Sequence, residues 1–321
     1  MFLLLLLPSL LEAQSLVKLR VGYAGGASLV GPPVAWATKE ARLFEKNGLA
    51  VELVAVSGGA TLVQAMLAGD IQFGAMAGSA PVAAYLAGVD MVQIMGIINR
   101  PAYVLVSRPE IRSLSDLKGK IVAVTRIGSS SDFLARLQLE SAGLIPDKDV
   151  TILGLGSSPE RLAAVEGRRI HAALLTHGEI FQAQKLGMSI LSDLSQVLPY
   201  PFYGITAMRG YIQKNEREVR FLMRALTEAI YRMAGDKEFT LKVLQKYARV
   251  SDPEILENAY QALVRFQERI PYPSTEAMKT VIEEFARRDA RARTLSPAVL
   301  IELRFVKELE ESGFIKKLSG G

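Results

Sequence analysis

The chain runs through one structural plan twice. The segment LKLRVGYAGG…LFEKNGLAVELVAVSGGATLVQAMLAGDIQFGAMAGSAP is matched, about 100 residues further on, by KGKIVAVTRIGSSSDF…LESAGLIPDKDVTILGLGSSPERLAAVEGRRIHAALLTHGE. Each copy opens on a β-branched strand, residues 19–23 or 121–125, followed by a small-residue loop and a helix that ends at a glycine, Gly48 or Gly143. A second strand (51–56; 150–155) runs into a Gly/Ser turn, where Ser57-Gly58-Gly59-Ala60-Thr61 matches Gly156-Ser157-Ser158-Pro159-Glu160. Ser158 suits an N-cap there and Pro159 a first helical position. Another helix closes at Gly69 or Gly167, and a third strand (71–76; 170–175) stops at Gly78-Ser79 or His177-Gly178.

Short strand–helix–strand units predict parallel sheets with right-handed crossovers, and so an α/β fold of two doubly wound lobes. Ligands of open parallel sheets lie beyond the carboxyl ends of the strands, where every Gly/Ser turn above falls. The expectation is a cleft lined by helix N-termini from both lobes. After Asp193 the pattern changes. Residues 204–207 read as a strand returning the chain to the first lobe, and from Asn215 the sequence is helical, broken at Asp252-Pro253, at Pro271-Tyr272-Pro273-Ser274 and at Ser296-Pro297. These helices are expected to pack on the first lobe and extend it. Crossovers near 104–107 and 203–207 would form a two-strand hinge. The expected division is 15–104 with 205–321 as the first lobe and its C-terminal helices, and 105–204 as the second.

Half of the residues are hydrophobic, enough to bury a sizeable core. The 38 Lys and Arg against 33 Asp and Glu give a net charge of +5, but the basic residues are interspersed with acidic ones on helical stretches such as 276–293. That is a solvated helix face and not a nucleic-acid track. The start, MFLLLLLPSLLEAQS, reads over residues 1–14 as a secretory signal peptide, its apolar run too short to span a bilayer. No Lys or Arg precedes that run, which points to a start upstream of Met1. The chain has no cysteine, so disulfides, thiolate metal sites, a catalytic thiol and lipid anchoring through an N-terminal cysteine are excluded. An exported, unanchored chain points to the periplasm.

The motifs of chemistry are missing. There is no Gly-x-Ser-x-Gly nucleophile elbow and no Gly-Lys-Ser/Thr phosphate loop, and two histidines cannot build a His-rich metal site. His171 alternates with apolar neighbours and reads as structural, whereas His177 falls at the cleft end of its strand, aligned with Gly78 and Ser79. Gly154-Leu155-Gly156 lacks the third glycine of a dinucleotide fingerprint and is a plain strand-to-helix turn. Trp36 reads as core. AVTRIGSSSDFLARL has two readings, since Ser129, Ser130 and Ser131 supply more hydroxyls than one helix cap needs and would either cap the helix or contact an anion. Arg126 in the same loop either pairs with an anionic group or lies on the surface.

The segments KEARLFEKNGLAVELV, SGGATLVQAMLAGDIQFGAM, VTRIGSSSDFLARLQLESAGLIPDKDV and SSPERLAAVEGRRIHAALL, with AQKLGMSILSDL, PYPSTEAMKTVIEEFA and ELRFVKELEESGFIKKL, resemble the periplasmic substrate-binding proteins of ABC importers. The branch is the one that binds nitrate, sulfonates, taurine and thiamine-pyrimidine precursors. The resemblance implies a periplasmic-binding-protein fold, type II-like, that closes on a small, often anionic solute. It implies a monomer without cofactor, presenting that solute to a membrane permease with its ATPase. The ligand set expected on this basis is Ser28, Gly59, Ala60, Thr61, Ser79, Asn99, Arg126, Ser129, Ser130, Ser131 and His177, with no catalytic residue. The cleft loops YAGGASLVGPP and INRPAYV match no single substrate type. The alternatives are a thiamine-pyrimidine-precursor binder or an enzyme on the same fold. The fungal pyrimidine synthases and the hydroxymethylbilane-synthase-like enzymes of this fold use cysteines that this chain lacks. A sensor would carry a transmembrane or signalling segment, and none is seen.

Overall fold

The computed structural model describes residues 15–320, so the signal-peptide reading of 1–14 lies outside the described residues. The first repeat gives β1 (Val17–Ala24), α1 (Pro33–Glu40), α2 (Leu43–Lys46), β2 (Leu49–Val56), α3 (Gly59–Leu67), β3 (Phe73–Met76), α4 (Ser79–Leu86) and β4 (Met91–Ile98). After β5 (Tyr103–Ser107), the second gives β6 (Ile121–Val124), α5 (Ser130–Ser141), β7 (Thr151–Gly154), α6 (Ser158–Glu166), β8 (Ala172–Thr176), α7 (Ile180–Lys185) and β9 (Ser189–Asp193). Then come β10 (Tyr203–Met208), α8 (Arg209–Lys214), α9 (Glu216–Gly235), α10 (Lys237–Ala248), α11 (Pro253–Phe266), α12 (Thr275–Ala286), α13 (Arg304–Glu311) and α14 (Phe314–Leu318).

The strands form two five-stranded sheets, ordered β2-β1-β3-β10-β4 and β7-β6-β8-β5-β9. In each, the strands of the repeat are parallel, as expected. The fourth place is taken by an antiparallel strand, β10 against β3 and β4 in one sheet and β5 against β8 and β9 in the other. Each of these is the first strand laid down after the chain changes sheet. The sheets are therefore mixed where parallel sheets were expected, because a chain arriving from the other half enters from the cleft end. The passages run through residues 99–102 and 194–202. A division at 104/105 and 204/205 would cut β5 and β10, which sit wholly in the sheet being entered.

Close packing under the first sheet explains how α3 is seated. Gly22 of β1 pairs with Gly74 of β3, and a side chain at Gly22 would run into Leu62 Cδ1 and approach Ile71 Cδ1 to 2.9 Å. The two glycines let Leu62, fully buried, sink onto the sheet. Trp36 of α1 is core, stacked on Tyr247 with ring centroids 5.3 Å apart. The long helix α9 buries Val219, Leu222, Leu226 and Ile230 against the first half. One C-terminal helix does more than extend that half: α11 reaches the second, with Phe266 against the His177 ring at 4.7 Å and Asp252 accepting from Lys185 Nζ at 3.0 Å.

Candidate functional site

A cavity of about 500 Å³ lies between the carboxyl ends of the two sets of parallel strands. The turns after β1, β2 and β3 form one wall, those after β6, β7 and β8 the other, and Tyr103, Phe202 and Tyr203, where the chain passes between sheets, close the back. The walls differ in chemistry. The first is built of small residues, among them Ala24, Gly25, Gly26, Ala55, Gly59, Ala60 and Ala80; the second carries Thr125, Ser130, Ser158, Thr176, Arg161 and the carboxylate of Glu160.

Helix N-termini differ in the same way. Gly58, with φ of +119°, turns the chain into α3, and Gly78 leads into α4; neither start has a side-chain cap, and the N–H groups of Gly59, Ala60 and Thr61 are left for a ligand at α3, whereas at α4 only that of Ser79 is, since Ala80 N donates to Ala77 O at 3.2 Å and Pro81 has none. A glycine is required at 58, where an L side chain would be strained. The helices of the other wall are closed by their own residues. Ser129 Oγ accepts from Asp132 N at 3.4 Å, and Glu160 Oε2 accepts from the backbone N–H and the hydroxyl of Ser157 at 2.5 and 2.8 Å. Ser131 is wholly buried, its Oγ accepting from Thr125 N at 2.8 Å and sharing a hydrogen bond of 2.9 Å with Ser129. The Gly/Ser turn therefore satisfies itself, except for Ser130, whose hydroxyl faces the cavity 3.4 Å from the Tyr103 hydroxyl.

Arg161 was not among the residues expected from the sequence. Only 1% of it is exposed, yet it lines the cavity. Its Nε donates to Leu174 O at 2.7 Å, Nη1 to Thr125 Oγ1 at 3.0 Å and to Gly156 O, and Nη2 to Ser158 Oγ at 3.1 Å. Among the described residues no carboxylate lies within ion-pair distance of it. Burial pushes its guanidinium below the usual range. A buried guanidinium held by neutral acceptors carries a desolvation cost of several kcal/mol that a counter-charge would offset. The sequence did hold a signal: one step past Thr61/Glu160 in the repeat, Arg161 takes the place of core Leu62.

Of the residues expected at the site, the structure brings Ser28, Gly59, Ala60, Ser79, Ser129 and Ser130 to the cavity lining. Thr61 and Ser57 accept from Arg126 Nη1, which crosses from the turn after β6. Arg126 thus sits at the uncapped start of α3, a cation beside the positive end of a helix. Asn99 is used in the fold, donating to Tyr272 O at 2.9 Å and accepting from Ser274 N at 3.3 Å. His177 is buried behind the cavity, 2.7 Å from Asp193 Oδ1 through Nε2, and burial lowers its proton affinity despite that carboxylate. His171 accepts from Ile121 N through Nδ1 and is structural.

At the inner end the walls touch. Ser28 Oγ lies 3.0 Å from Thr176 Oγ1, and buried Glu179 accepts from Leu29 N at 3.3 Å and from the Thr176 hydroxyl. Burial raises the proton affinity of the Glu179 carboxyl.

Residues 36–238 match the family described as NMT1/THI5 like. A Brucella abortus protein named as a binding protein is 27% identical over 250 residues, covering 76% of this chain and 75% of that protein. Among solved structures, the alkanesulfonate-binding protein of Xanthomonas axonopodis pv. citri, bound to MOPS, superposes with a TM-score of 0.74 at 21% identity, covering 91% of this chain and 100% of that one. The periplasmic nitrate-binding protein of Synechocystis gives 0.76 at 13%, covering 92% and 89%. At these identities the likeness is one of fold, and the fold is that of periplasmic solute-binding proteins.

Proposed function

From a chain that belongs to the NMT1/THI5-like family, we propose a solute-binding component of an ABC importer, which captures a small anionic solute in the interlobe cleft and delivers it to a permease and its ATPase. The observation that carries the reading is Arg161, a buried cation on the cavity wall whose own hydrogen bonds all go to neutral acceptors, with Glu160 and Glu179 nearby but not in ion-pair contact. Opposite it lie the uncapped starts of α3 and α4. Each helix start adds roughly 0.3–1 kcal/mol toward an anion, up to about 2 when partly buried. Micromolar affinity needs about 8 kcal/mol, so dipoles alone are too weak. Ser79, Ser130 and the backbone at Gly59 and Ala60 supply direct hydrogen bonds for the rest, about 1.5–3 kcal/mol each to a charged partner, and Arg161, its N–H groups mostly held by the protein, supplies the charge behind them. No nucleophile, base or metal cluster is called for, since a receptor releases its solute unchanged. The likeness to periplasmic proteins supports a periplasmic location, and among the described residues no helix is long and apolar enough to cross a membrane.

The test is a thermal-shift screen of the full chain against organic and inorganic anions and neutral controls, because a ligand of the folded state raises stability by RT ln(1 + [L]/Kd). An anion is expected to raise the melting temperature, and Arg161→Gln, which removes the charge, to lose most of that shift. If only neutral compounds stabilise the protein, the anion reading fails. If the shift survives Arg161→Gln intact, Arg161 is not the counter-charge.

A further inference from the structure

The turn after β8, His177-Gly178-Glu179, belongs to the second half and is gripped on two sides by the first. On one side Leu29 lies against Gly178, where a Cβ would come within 2.5 Å of Leu29 Cβ, so glycine is what lets the halves approach this closely. On the other, the His177 ring packs on Phe266 of α11. The turn also sits at the pivot, since His177 N donates at 2.9 Å to Ala102 O in the passage between sheets. At its end Glu179 is 1% exposed, and its two donors come from different halves, Leu29 N from the first and the Thr176 hydroxyl from the second. Leu29 is itself the seal. Parting the halves removes one donor and admits water to the carboxyl.

Charges around Glu179 are few. Arg161 of α6 acts on it from beyond ion-pair contact, Glu160 of the same helix is turned to Ser157, and the Leu29 loop, residues 25–32, holds no titratable group. Lys185 of α7 is engaged with Asp252 and Glu254, and His177 faces Asp193 of β9 and Arg265 of α11. Ionised, Glu179 is a buried carboxylate with no cation in contact, which is costly. Protonated, it donates to Thr176 Oγ1, Thr176 donates to Ser28 Oγ and Ser28 to Val30 O at 3.3 Å, so each hydroxyl of the joint keeps a partner. We propose that this turn is a proton-sensitive latch: a proton on Glu179 holds the halves together, and its loss lets them part. Burial raises the proton affinity of Glu179 in the joined form above the ordinary carboxylate value, which the open form restores. The latch is therefore fully set below the ordinary carboxylate range and released as pH rises through the raised value. His177 responds the other way, burial lowering its proton affinity, so it opposes the joint only from the ordinary imidazole range downward. The latch goes beyond solute capture and is indifferent to which solute is carried.

The test is small-angle scattering of the solute-free full chain between about pH 5 and 9, on the parent, Glu179→Gln and His177→Gln. The radius of gyration is expected to grow with rising pH in His177→Gln, and in the parent above the imidazole range. Across the transition the ratio of joined to open forms should fall by up to about tenfold per pH unit. Glu179→Gln, whose amide both donates and accepts as the protonated acid does, should stay compact throughout. Infrared difference spectra of the parent give a second readout that needs no variant: the protonated-carboxyl band should vanish over the same pH range as the expansion. A radius independent of pH in His177→Gln overturns the latch, as does expansion that persists in Glu179→Gln or a carboxyl band unchanged through the expansion. None of these outcomes touches anion capture, which the thermal-shift screen tests separately.

Discussion

Single side chains in this cleft separate into those spent on the fold and those left for a ligand, and the three serines of one turn show the difference. Ser131→Ala removes the acceptor for Thr125 N inside a buried turn and is expected to cost about 1–3 kcal/mol of stability. Ser129→Ala removes a cap and is expected to cost about 0.5–2 kcal/mol. Ser130→Ala should leave the melting temperature nearly unchanged and weaken binding of the solute by about 1.5–3 kcal/mol. Melting and titration of the three variants decide it; full affinity in Ser130→Ala would remove that hydroxyl from the site. From the sequence these residues were legible as a group only, because a cap and a cradle use the same hydroxyls and only the fold decides where each one points. His177 was placed near the cleft by its position at a strand end and Asn99 by the cleft loop INRPAYV and the family resemblance, but the course of a backbone does not fix which way a side chain turns. Arg161 shows the opposite case, legible in the repeat as an arginine at a leucine's core position.

At the level of elements, the repeat carried most of the fold. β-branched runs, the Gly/Ser turns and the glycines closing helices located the strands of both copies to within a few residues, because those signals are local. The antiparallel strands β5 and β10 were found, but not their places in the sheets, which depend on the chain's path across the molecule. The seat of α3 is the most sensitive joint in the first half, since its start faces the cavity and Leu62 rests on Gly22 and Gly74. Gly22→Ala is expected to destabilise by about 1–3 kcal/mol through overpacking. In urea this would appear as a lower midpoint with an unchanged slope. A stability equal to the parent would mean that α3 can lift off the sheet at no cost.

For the molecule as a whole, contacts join the two halves: Ser28 to Thr176, Leu29 to Glu179, and Arg126 to Ser57 and Thr61. A solute closes a cleft only to the extent that it prefers the closed form. The Arg126 bridge therefore lowers the amount of closure the solute must drive. Arg126→Ala is expected to enlarge the radius of gyration of the free protein in small-angle scattering and to weaken apparent affinity up to about fivefold, in proportion to the lost closed fraction; identical radii would show that the bridge holds nothing shut. The strand exchange between the halves has its own consequence for how such a chain comes into being. β3 and β4 are synthesised long before Tyr203–Met208, the strand that lies between them. Until then every residue of Phe73–Met76 and Met91–Ile98, buried in the finished protein, flanks an open lane of unpaired backbone groups, the kind of edge that recruits other chains. A polypeptide cut short before Tyr203 is thus an aggregation hazard and not a smaller receptor, and completion of the first sheet records that synthesis has passed residue 208.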